Sequence, residues 1–339
     1  MAAIKTLRCA SCDAEVLIDL HTCMICYDVP KYEDGERPDV YCNTLCQQNH
    51  SEAHKAQCQR RMNRQKLLRA ASLMKATFLT FRECLYGRPL VQIKLHNNEL
   101  HLHIYPTPPF NPWYYSFPEG VTADVKHKEA AISIENCNAA ASICGLLASR
   151  LLEGIATKME LICVDVKPRI LARYMTPSRN PDRPAETYPL HTVVVVDIQE
   201  EKWIIDMTGR QFGFPDVISP LKKYMKDWQG KRVKTDKLCP YPVGELDDID
   251  HSNFFPFIPP VDRSADFLAH RAHEQTGRLH LKALIEKRFV DEKHPSFPAD
   301  LLNRTEEAFQ AGLGEWVAEV KEHMMDFVKR MTGKYNPTD

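Results

Sequence analysis

Paired cysteines near the N-terminus restrict what this chain can fold into more than any other feature of its sequence. Seven of the twelve cysteines lie between Cys9 and Cys58, in a stretch without a periodic pattern of apolar residues. With one histidine they form four close pairs, which are Cys9 and Cys12, Cys23 and Cys26, Cys42 and Cys46, and His54 and Cys58. Two or three intervening residues let a turn or one helical step aim both side chains at the same ion. Four pairs therefore predict two zinc ions, each with four ligands.

The same segment is too small to be held together by apolar burial alone. Each predicted site has four protein ligands and no open position, so both zinc ions are predicted to be structural rather than catalytic. A structural zinc ion contributes on the order of 10–16 kcal/mol, so the metals in effect supply the fold. His21 and His50 are alternative ligands with less suitable spacing. A second alternative is that some of these cysteines are merely buried or redox-active.

The end of this segment resembles the MYND finger. The matching residues are Tyr41-Cys42-Asn43-Thr44-Leu45-Cys46-Gln47, followed by His54-Lys55 and Cys58. The resemblance implies that the two sites are interleaved. One ion would be held by Cys9, Cys12, Cys42 and Cys46, and the other by Cys23, Cys26, His54 and Cys58. Each ion would then join segments that are distant in the sequence.

Two features depart from the usual pattern of this family. The interval between Cys26 and Cys42 is longer than usual and contains a polar insertion at Tyr32–Pro38. The tryptophan that commonly lies three residues before the histidine is replaced by Ser51. Neither departure affects a predicted ligand. The resemblance implies that the finger binds other proteins, including proline-containing peptides, and that the chain is an adaptor in transcriptional or other intracellular regulation.

Composition and charge favour a globular protein whose partners are neither nucleic acids nor membranes. Hydrophobic residues make up 44% and charged residues 26% of the sequence, as is typical of globular domains. The formal net charge is -1, which provides no overall attraction to nucleic acid or acidic lipid. Apolar runs such as Val193–Val196 are too short to cross a bilayer, and the N-terminus lacks the apolar core of a secretory signal. We therefore expect an intracellular protein of the cytoplasm, the nucleus or both.

Changes in patterning along the chain predict an α+β fold in four parts. Apolar residues at helical spacing predict a helix at Arg60–Thr80, and we interpret its basic face as exposed to solvent rather than bound to nucleic acid. Further on, a helix, strands and an intervening polar loop in that order indicate an α+β domain. The predicted parts are a zinc finger at 1–62, a connecting helix at 63–84, an α+β middle domain at 85–246, and a linker with C-terminal helices at 247–339.

The elements of the middle and C-terminal parts follow from the same patterns. Alternation at 90–105 around Asn97-Asn98 predicts two strands and a turn, and the last helix carries an amphipathic stripe from Phe309 to Phe327 that is typical of core packing. The other predicted helices are 137–153, Ala265–Phe289 and Asp300–Met331, and the other predicted strands are Met159–Val166, Thr192–Ile198 and Lys202–Met207. The predicted loops are Pro106–Pro118, Thr176–Pro189 and Asp247–Asp262.

Three residues of the middle domain form a candidate catalytic set. Cys137 directly precedes the helical run Ala139–Leu152, where the helix dipole lowers the pKa of a thiol and a free amide can stabilise an oxyanion. His191 opens one predicted strand, and Asp206 ends the next one. Adjacent antiparallel strands can place Asp206 beside His191. The carboxylate would then fix the imidazole tautomer, and the other ring nitrogen would serve Cys137 as a base.

This order of residues resembles the transglutaminase-like branch of the papain-type fold. In that family a cysteine begins a helix, a histidine opens a strand, and an aspartate follows a tryptophan-bearing strand. Arylamine N-acetyltransferases share the order, but the arginine-glycine-glycine approach to their cysteine is missing here. The resemblance implies a cysteine-nucleophile acyl transferase or amide hydrolase as the alternative to the adaptor. Many domains with this fold are binding modules without activity, so both interpretations stay open.

Two other groupings compete with these sites. Cys144 lies on the same predicted helix as Cys137 and is an alternative functional thiol. His101 and His103 alternate on a predicted strand, so they share a face and are candidates for a third metal site. The sequence shows no evident carboxylate partner for this pair, and alternating histidines are more often surface residues.

Overall fold

The N-terminal part of the chain has little regular structure and a very small core. The computed structural model describes residues 7–16, 21–23, 25–104, 116–175, 190–232, 239–242, 265–290 and 299–333. Its first elements are β1 (Leu7–Arg8), β2 (Glu15–Val16), β3 (His21–Thr22), β4 (Val40–Tyr41) and α1 (Thr44–Asn49). β1 pairs with β2 and β3 with β4. The buried apolar cluster here consists of Cys9, Val16, Val40 and Tyr41. Apolar burial on this scale is too limited to hold such a segment together.

The rest of the chain consists of helices and strands. The elements are α2 (Ser51–Cys84), β5 (Leu90–His96), β6 (Glu99–Ile104), α3 (Val125–Ser133), α4 (Cys137–Leu151), β7 (Lys158–Asp165), β8 (Leu171–Met175), β9 (Leu190–Ile198), β10 (Glu201–Ile205), β11 (Ile218–Pro220), α5 (Leu221–Asp227), β12 (Lys231–Arg232), β13 (Cys239–Pro240), α6 (Ala265–Val290) and α7 (Glu306–Gly333), with 3-10 turns at Gly209–Phe212 and Ala299–Asn303. Six of them (α3, β8, β11, α5, β12 and β13) have no counterpart among the predicted elements. The predicted loops at 176–189 and 247–262, and most of the loop at 106–118, lie outside the described residues.

Helix α2 is longer than the helix predicted at Arg60–Thr80, and it is central to the fold. It begins at Ser51 inside the zinc-finger segment and continues for 34 residues. The predicted finger and the predicted connecting helix therefore share one element. Along the second half of α2, the side chains of Leu67, Met74 and Phe78 are fully buried. The helix thus enters the main core rather than merely connecting two domains.

The basic face of α2 is not the solvated surface that the sequence suggested. Arg61, Arg64 and Arg69 are only 3%, 5% and 7% exposed. Arg69 donates hydrogen bonds to the carbonyl oxygens of Leu302 and Arg304, at 3.1 and 2.6 Å. The interpretation was wrong for these residues because a guanidinium can be buried when oxygen acceptors from distant segments surround it.

The main sheet carries the candidate catalytic residues. Its strand order is β11-β10-β9-β7-β12, β13 also pairs with β7, and the neighbouring strands are antiparallel. One face packs with α2 and α4 through Leu161, Cys163, Val194, Val196, Trp203 and Ile205. The opposite face is covered from Phe212 to Trp228, and its buried residues are Ile162, Val164, Val193, Val195, Ile204, Phe212, Phe214, Tyr224 and Trp228. Because both faces are covered, the central strands are almost continuously apolar.

A smaller sheet lies beside the main one. Strands β5 and β6 form the predicted hairpin, in which Asn97 and Asn98 take positive φ values of 48° and 64°. Such values suit a tight two-residue turn between twisted strands, and asparagine tolerates them better than most residues. β8 pairs with β6 in parallel, which joins the hairpin to the segment after β7.

The C-terminal helices pack onto α2 and α4 instead of forming a separate unit. On α7 the predicted stripe is buried, with Phe309, Trp316 and Phe327 at most 4% exposed. The indole nitrogen of Trp316 donates a 2.7 Å hydrogen bond to the Thr77 hydroxyl in the second half of α2. No single helix in the described part of the chain is long and apolar enough to cross a membrane, and α3 with α4, bent by 92°, reaches that length and apolarity only as a pair.

Replacing Trp316 by alanine is expected to lower the free energy of unfolding by about 3–5 kcal/mol, since a large buried ring is lost. Urea unfolding followed by circular dichroism measures this change. Glu315→Ala is the matched control, because Glu315 is exposed on the same helix and its loss should change stability by less than about 0.5 kcal/mol. Equal stability of the two variants would show that α7 does not complete the core.

Candidate functional site

The side chains of the four predicted zinc-binding pairs come together in two groups. Within each group the nitrogen and sulfur atoms that could bind metal lie within 4.8 Å of one another. The groups are Cys9, Cys12, Cys42 and Cys46, and Cys23, Cys26, His54 and Cys58. This is the interleaved division that the family resemblance implies. The alternatives His21 and His50 belong to neither group, and Nδ1 of His50 lies 3.2 Å from the Tyr41 hydroxyl.

Local structure aims each pair inward. Cys42 and Cys46 flank the start of α1, where the Asn43 side chain accepts a 2.8 Å hydrogen bond from the Cys46 amide and caps the helix. His54 and Cys58 lie four residues apart in the first turns of α2, so they share one face of that helix. Each group therefore combines a helical pair with a pair from the strands and turns that precede it.

The spacing of the sulfur atoms fits tetrahedral zinc. Zn–S bonds of about 2.3 Å place two sulfurs of a tetrahedron roughly 3.7 Å apart. The sulfur–sulfur distances are 3.7 Å for Cys12–Cys42, 3.4 Å for Cys42–Cys46 and 3.9 Å for Cys23–Cys58. A disulfide bond of about 2.05 Å would be much shorter. The N-terminal segment therefore holds two clusters that can each bind a metal ion such as zinc.

Thiols this close together cannot all ionise by themselves. Hydrogen bonds with the Cys46 and Cys12 side chains, followed by burial, raise the pKa of Cys42 to about 12. Burial, followed by the neighbouring thiols of Cys23 and Cys58, raises the pKa of Cys26 even further. A divalent cation between the sulfurs removes this repulsion, since the thiolate is the form that binds metal. One group offers four sulfur donors, and the other offers three sulfurs and one nitrogen. Structural zinc prefers donor sets of these two kinds.

Asp39 is a residue of the second cluster that the sequence analysis missed. Its carboxylate lies 2.8 Å from Nδ1 of His54, while Nε2 of the same ring lies 3.4 Å from the Cys26 sulfur. A ligating histidine commonly donates its other N–H to a carboxylate, which fixes the tautomer and the ring orientation. In the sequence Asp39 is simply an acidic residue near Cys42, and its spacing from the ligands does not distinguish it from other acidic residues.

The polar insertion that departs from the family pattern connects the finger to the main sheet. Glu36 in the insertion accepts a 2.8 Å hydrogen bond from Nη1 of Arg64, and Glu201 at the start of β10 accepts one of 2.8 Å from Nε. The ring centroids of Tyr32 and Trp203 lie 5.5 Å apart. Arg64 is therefore held between two carboxylates from segments that are far apart in the sequence. Such a buried cation is tolerated because its charge and its donors are both matched.

Cys137, His191 and Asp206 lie at the same end of the main sheet. β9 begins at Leu190, β10 runs antiparallel to it and ends at Ile205, and α4 begins at Cys137. Successive strand residues point to opposite faces, so His191 shares a face with Asp206 across the hairpin. The chain thus brings all three predicted residues to one place.

The pair of His191 and Asp206 is buried and fully hydrogen-bonded on the carboxylate side. Nε2 of His191 lies 2.9 Å from Oδ1 of Asp206, and the two residues are 0% and 3% exposed. Oδ1 also accepts a 3.1 Å bond from the Thr208 amide, and Oδ2 accepts a 2.9 Å bond from the Tyr224 hydroxyl. The Phe212 ring packs edge-on against the imidazole with centroids 4.7 Å apart. These extra donors allow an ionised carboxylate to remain buried.

The Cys137 thiol interacts with the same imidazole. Burial by itself raises the pKa of Cys137, but hydrogen bonding to His191 and the charge of that ring outweigh it, with help from Thr192, and lower this pKa below its ordinary value. Burial lowers the pKa of His191, and the charge and hydrogen bonds of Asp206 and Cys137 raise it to about 9. These opposite shifts favour a thiolate–imidazolium pair.

The contact between Cys137 and His191 is looser than a standard hydrogen bond. Nδ1 of His191 is buried and, among the described residues, has no partner of ordinary hydrogen-bond geometry. Catalytic hydrogen bonds are often long before substrate is bound and tighten in the complex. Cys137 as a whole residue is half-buried.

The segment before α4 is held in an unusual conformation by a glutamine that the sequence analysis also missed. Glu135 has a φ of 59°, which is strained for a residue with a side chain. Oε1 of Gln211 accepts a 3.1 Å hydrogen bond from the Glu135 amide, and its Nε2 donates one of 3.1 Å to the Thr208 carbonyl. Gln211 thus ties the start of the cysteine-bearing helix to the turn that follows Asp206.

The other described thiols of the middle domain lack such surroundings. The alternative nucleophile Cys144 is fully buried and donates a 3.2 Å hydrogen bond to the Met74 carbonyl. Burial raises the pKa of Cys144 and also raises that of Cys163 to about 12. A buried protonated thiol is a poor nucleophile, so the structure favours Cys137 over Cys144.

His101 and His103 share a face of β6, as predicted, with ring centroids 6.4 Å apart. A carboxylate partner is present, since Glu99 lies 3.1 Å from Nε2 of His101. Within the described ranges, however, these residues do not form a group of three at metal-binding distance.

Comparisons of this chain with protein families, with curated proteins and with solved structures give no match.

Replacing Asp39 by alanine is expected to weaken metal binding at the cluster that contains His54 by about 10- to 100-fold, since the ring loses its orienting partner. Competition between the protein and a chromophoric chelator measures the affinity of each bound equivalent of zinc. Asp13→Ala is the control, because Asp13 is exposed and pairs with the exposed Arg8. If both equivalents keep their affinity in the Asp39 variant, the carboxylate has no role in metal binding.

Proposed function

We propose that the middle domain is a cysteine-dependent acyl transferase or amide hydrolase that uses Cys137, His191 and Asp206. The observation that carries this proposal is the buried 2.9 Å contact between His191 and Asp206, with the half-buried Cys137 interacting with the same imidazole. The arrangement also supports grouping the domain with the transglutaminase-like branch of the papain-type fold. In this interpretation the zinc clusters are structural and take no part in the chemistry.

The geometry supports a two-step acyl transfer. The Cys137 thiolate attacks the carbonyl carbon of an amide or ester and forms a C–S bond. The imidazolium of His191 then donates its proton to the leaving amine or alkoxide as the C–N or C–O bond breaks. In the second step His191 accepts a proton from water or an amine that attacks the thioester, and the Cys137 sulfur leaves as the thiolate. Asp206 holds the ring in place throughout.

The start of α4 supplies the electrostatic stabilisation that this reaction needs. The first amides of a helix have no carbonyl partner within the helix, and they carry the positive end of its dipole. The amide of Cys137 is the first of these, because α4 begins at that residue. An oxyanion that forms next to the Cys137 sulfur would accept a hydrogen bond from it.

Cys137 is expected to be alkylated by iodoacetamide at pH 6 at least ten times faster than in a His191→Ala variant. The reason is that the imidazolium stabilises the thiolate, and about one pKa unit corresponds to a tenfold change in thiolate at this pH. Peptide mass spectrometry after timed quenching gives the rate at each cysteine. The fully buried Cys144 is the internal control and should react slowly in both proteins. Equal rates at Cys137 with and without His191 would contradict the enzymatic proposal.

A second candidate function, the protein-interaction adaptor, is supported by a separate observation. Three large apolar side chains of the finger are exposed, namely Ile25, Tyr27 and Leu45 at 53%, 68% and 63%. Apolar groups that a small domain leaves in water are typical of a surface that binds another protein. We propose that the finger presents this surface to a peptide of a partner protein, with a role in intracellular regulation.

An Ile25→Ser/Tyr27→Ser double variant is expected to lose at least tenfold in affinity for the proline-containing peptides that the wild-type chain selects from a peptide array. Fluorescence anisotropy with those peptides measures the affinity. Val125→Ser/Leu279→Ser is the matched control, since both side chains are exposed but lie outside the finger. Unchanged affinity in the finger variant, or an equal loss in the control, would contradict this role for the finger.

A further inference from the structure

We infer that Tyr224 is a positioning residue of the Cys137 site, whose hydroxyl holds the Asp206 carboxylate in the orientation that keeps His191 aligned with the thiol. The inference rests on the proposed acyl-transfer function. Tyr224 is not one of the three site residues predicted from the sequence. In the described part of the structure its hydroxyl donates to Asp206 and not to Cys137 or His191.

The fold places Tyr224 directly over the end of β10. Strand β11 pairs with β10 so that Ile218 is opposite Ile205, and α5 follows β11 without a break. Tyr224, in the middle of α5, is 2% exposed, and its ring packs edge-on against Phe214 with centroids 5.9 Å apart. The ring is therefore fixed, and the hydroxyl points at a set position above Asp206.

The two oxygens of the Asp206 carboxylate have unequal support. Oδ1 interacts with both His191 and the Thr208 amide, whereas Tyr224 is the donor to Oδ2 among the described residues. Gly209 keeps the space beside Oδ2 free, because a Cβ on that residue would lie 2.5 Å from this oxygen. A side chain at position 209 would crowd this oxygen. Tyr224 is therefore the described hydrogen-bond donor that holds the Oδ2 side of the carboxylate in place.

Tyr224 remains a hydrogen-bond donor over the whole useful pH range. Burial, followed by the charge of Asp206, raises its pKa well above the ordinary value, so the hydroxyl stays protonated. Without that hydroxyl, Oδ2 would be a buried acceptor with no other partner among the described residues, and the carboxylate would gain by rotating. Such a rotation weakens its hold on Nε2 of His191, and the ring then stabilises the Cys137 thiolate less well.

The test compares the pH dependence of Cys137 alkylation in the full chain with that of two tyrosine variants. In Tyr224→Phe the midpoint of the iodoacetamide rate profile is expected to move upward, with at least a threefold slower reaction at pH 6. Tyr241→Phe is the matched control, because Tyr241 is also buried but donates its hydroxyl to the Ala141 carbonyl, at 3.1 Å. The control should lose a similar buried hydrogen bond and keep the wild-type profile.

The outcomes separate this inference from the function on which it rests. If the wild-type profile already shows an ordinary thiol at Cys137, the acyl-transfer proposal fails. If the wild-type thiol is activated and the Tyr224→Phe profile coincides with it, only the role of Tyr224 is overturned. If Tyr224→Phe does not fold, proton NMR of tyrosine-labelled wild-type protein decides. A protected Tyr224 hydroxyl signal that shifts when Cys137 is alkylated supports the inference, and one that does not shift contradicts it.

Discussion

Helix α2 is the element on which the other parts of the structure depend. Its first turns carry His54 and Cys58 of one metal cluster, and its later turns bury Leu67 and Phe78 in the main core. A helix is stiff over this length, so the finger and the core are held in one orientation by a shared backbone. Arg64 adds a second connection, because it donates hydrogen bonds to Glu36 in the polar insertion and to Glu201 in the main sheet. The finger is therefore continuous with the main fold through α2 and is not a separate module on a linker.

Two different physical means stabilise the two ends of α2. At the finger end, the clustered cysteines can ionise together only when a cation offsets the repulsion between their thiolates, and apolar burial contributes little. At the other end, close packing of apolar side chains provides the stability, and the few polar groups are paired within it, as Trp316 is with Thr77. A protein built in this way is expected to lose order at the finger first when metal is removed, because that end has no substitute for the ion.

The surroundings of two cysteines on α4 explain why the pKa of one thiol is lowered and the pKa of the other is raised. Cys137 begins the helix and meets an imidazole that is itself held by a carboxylate. Cys144, two turns later, faces the apolar side of α2, where burial keeps it protonated. The charge on Asp206 is tolerated because each of its oxygens has a donor. The lowered pKa of Cys137 therefore depends on several residues at this end of the sheet.

The sequence by itself determined the features that depend on short spacing: the four metal-binding pairs, the hairpin at Asn97-Asn98, and the start of α4 at Cys137. Such features follow from local geometry, in which two or three residues decide where a side chain points. It also placed His191 and Asp206 on neighbouring strands. Only the tertiary structure decided that Asp39, Gln211 and Tyr224 support these sites and that Arg61, Arg64 and Arg69 of α2 are buried. Those contacts join segments whose separation in the chain carries no local signal, and packing alone brings them together.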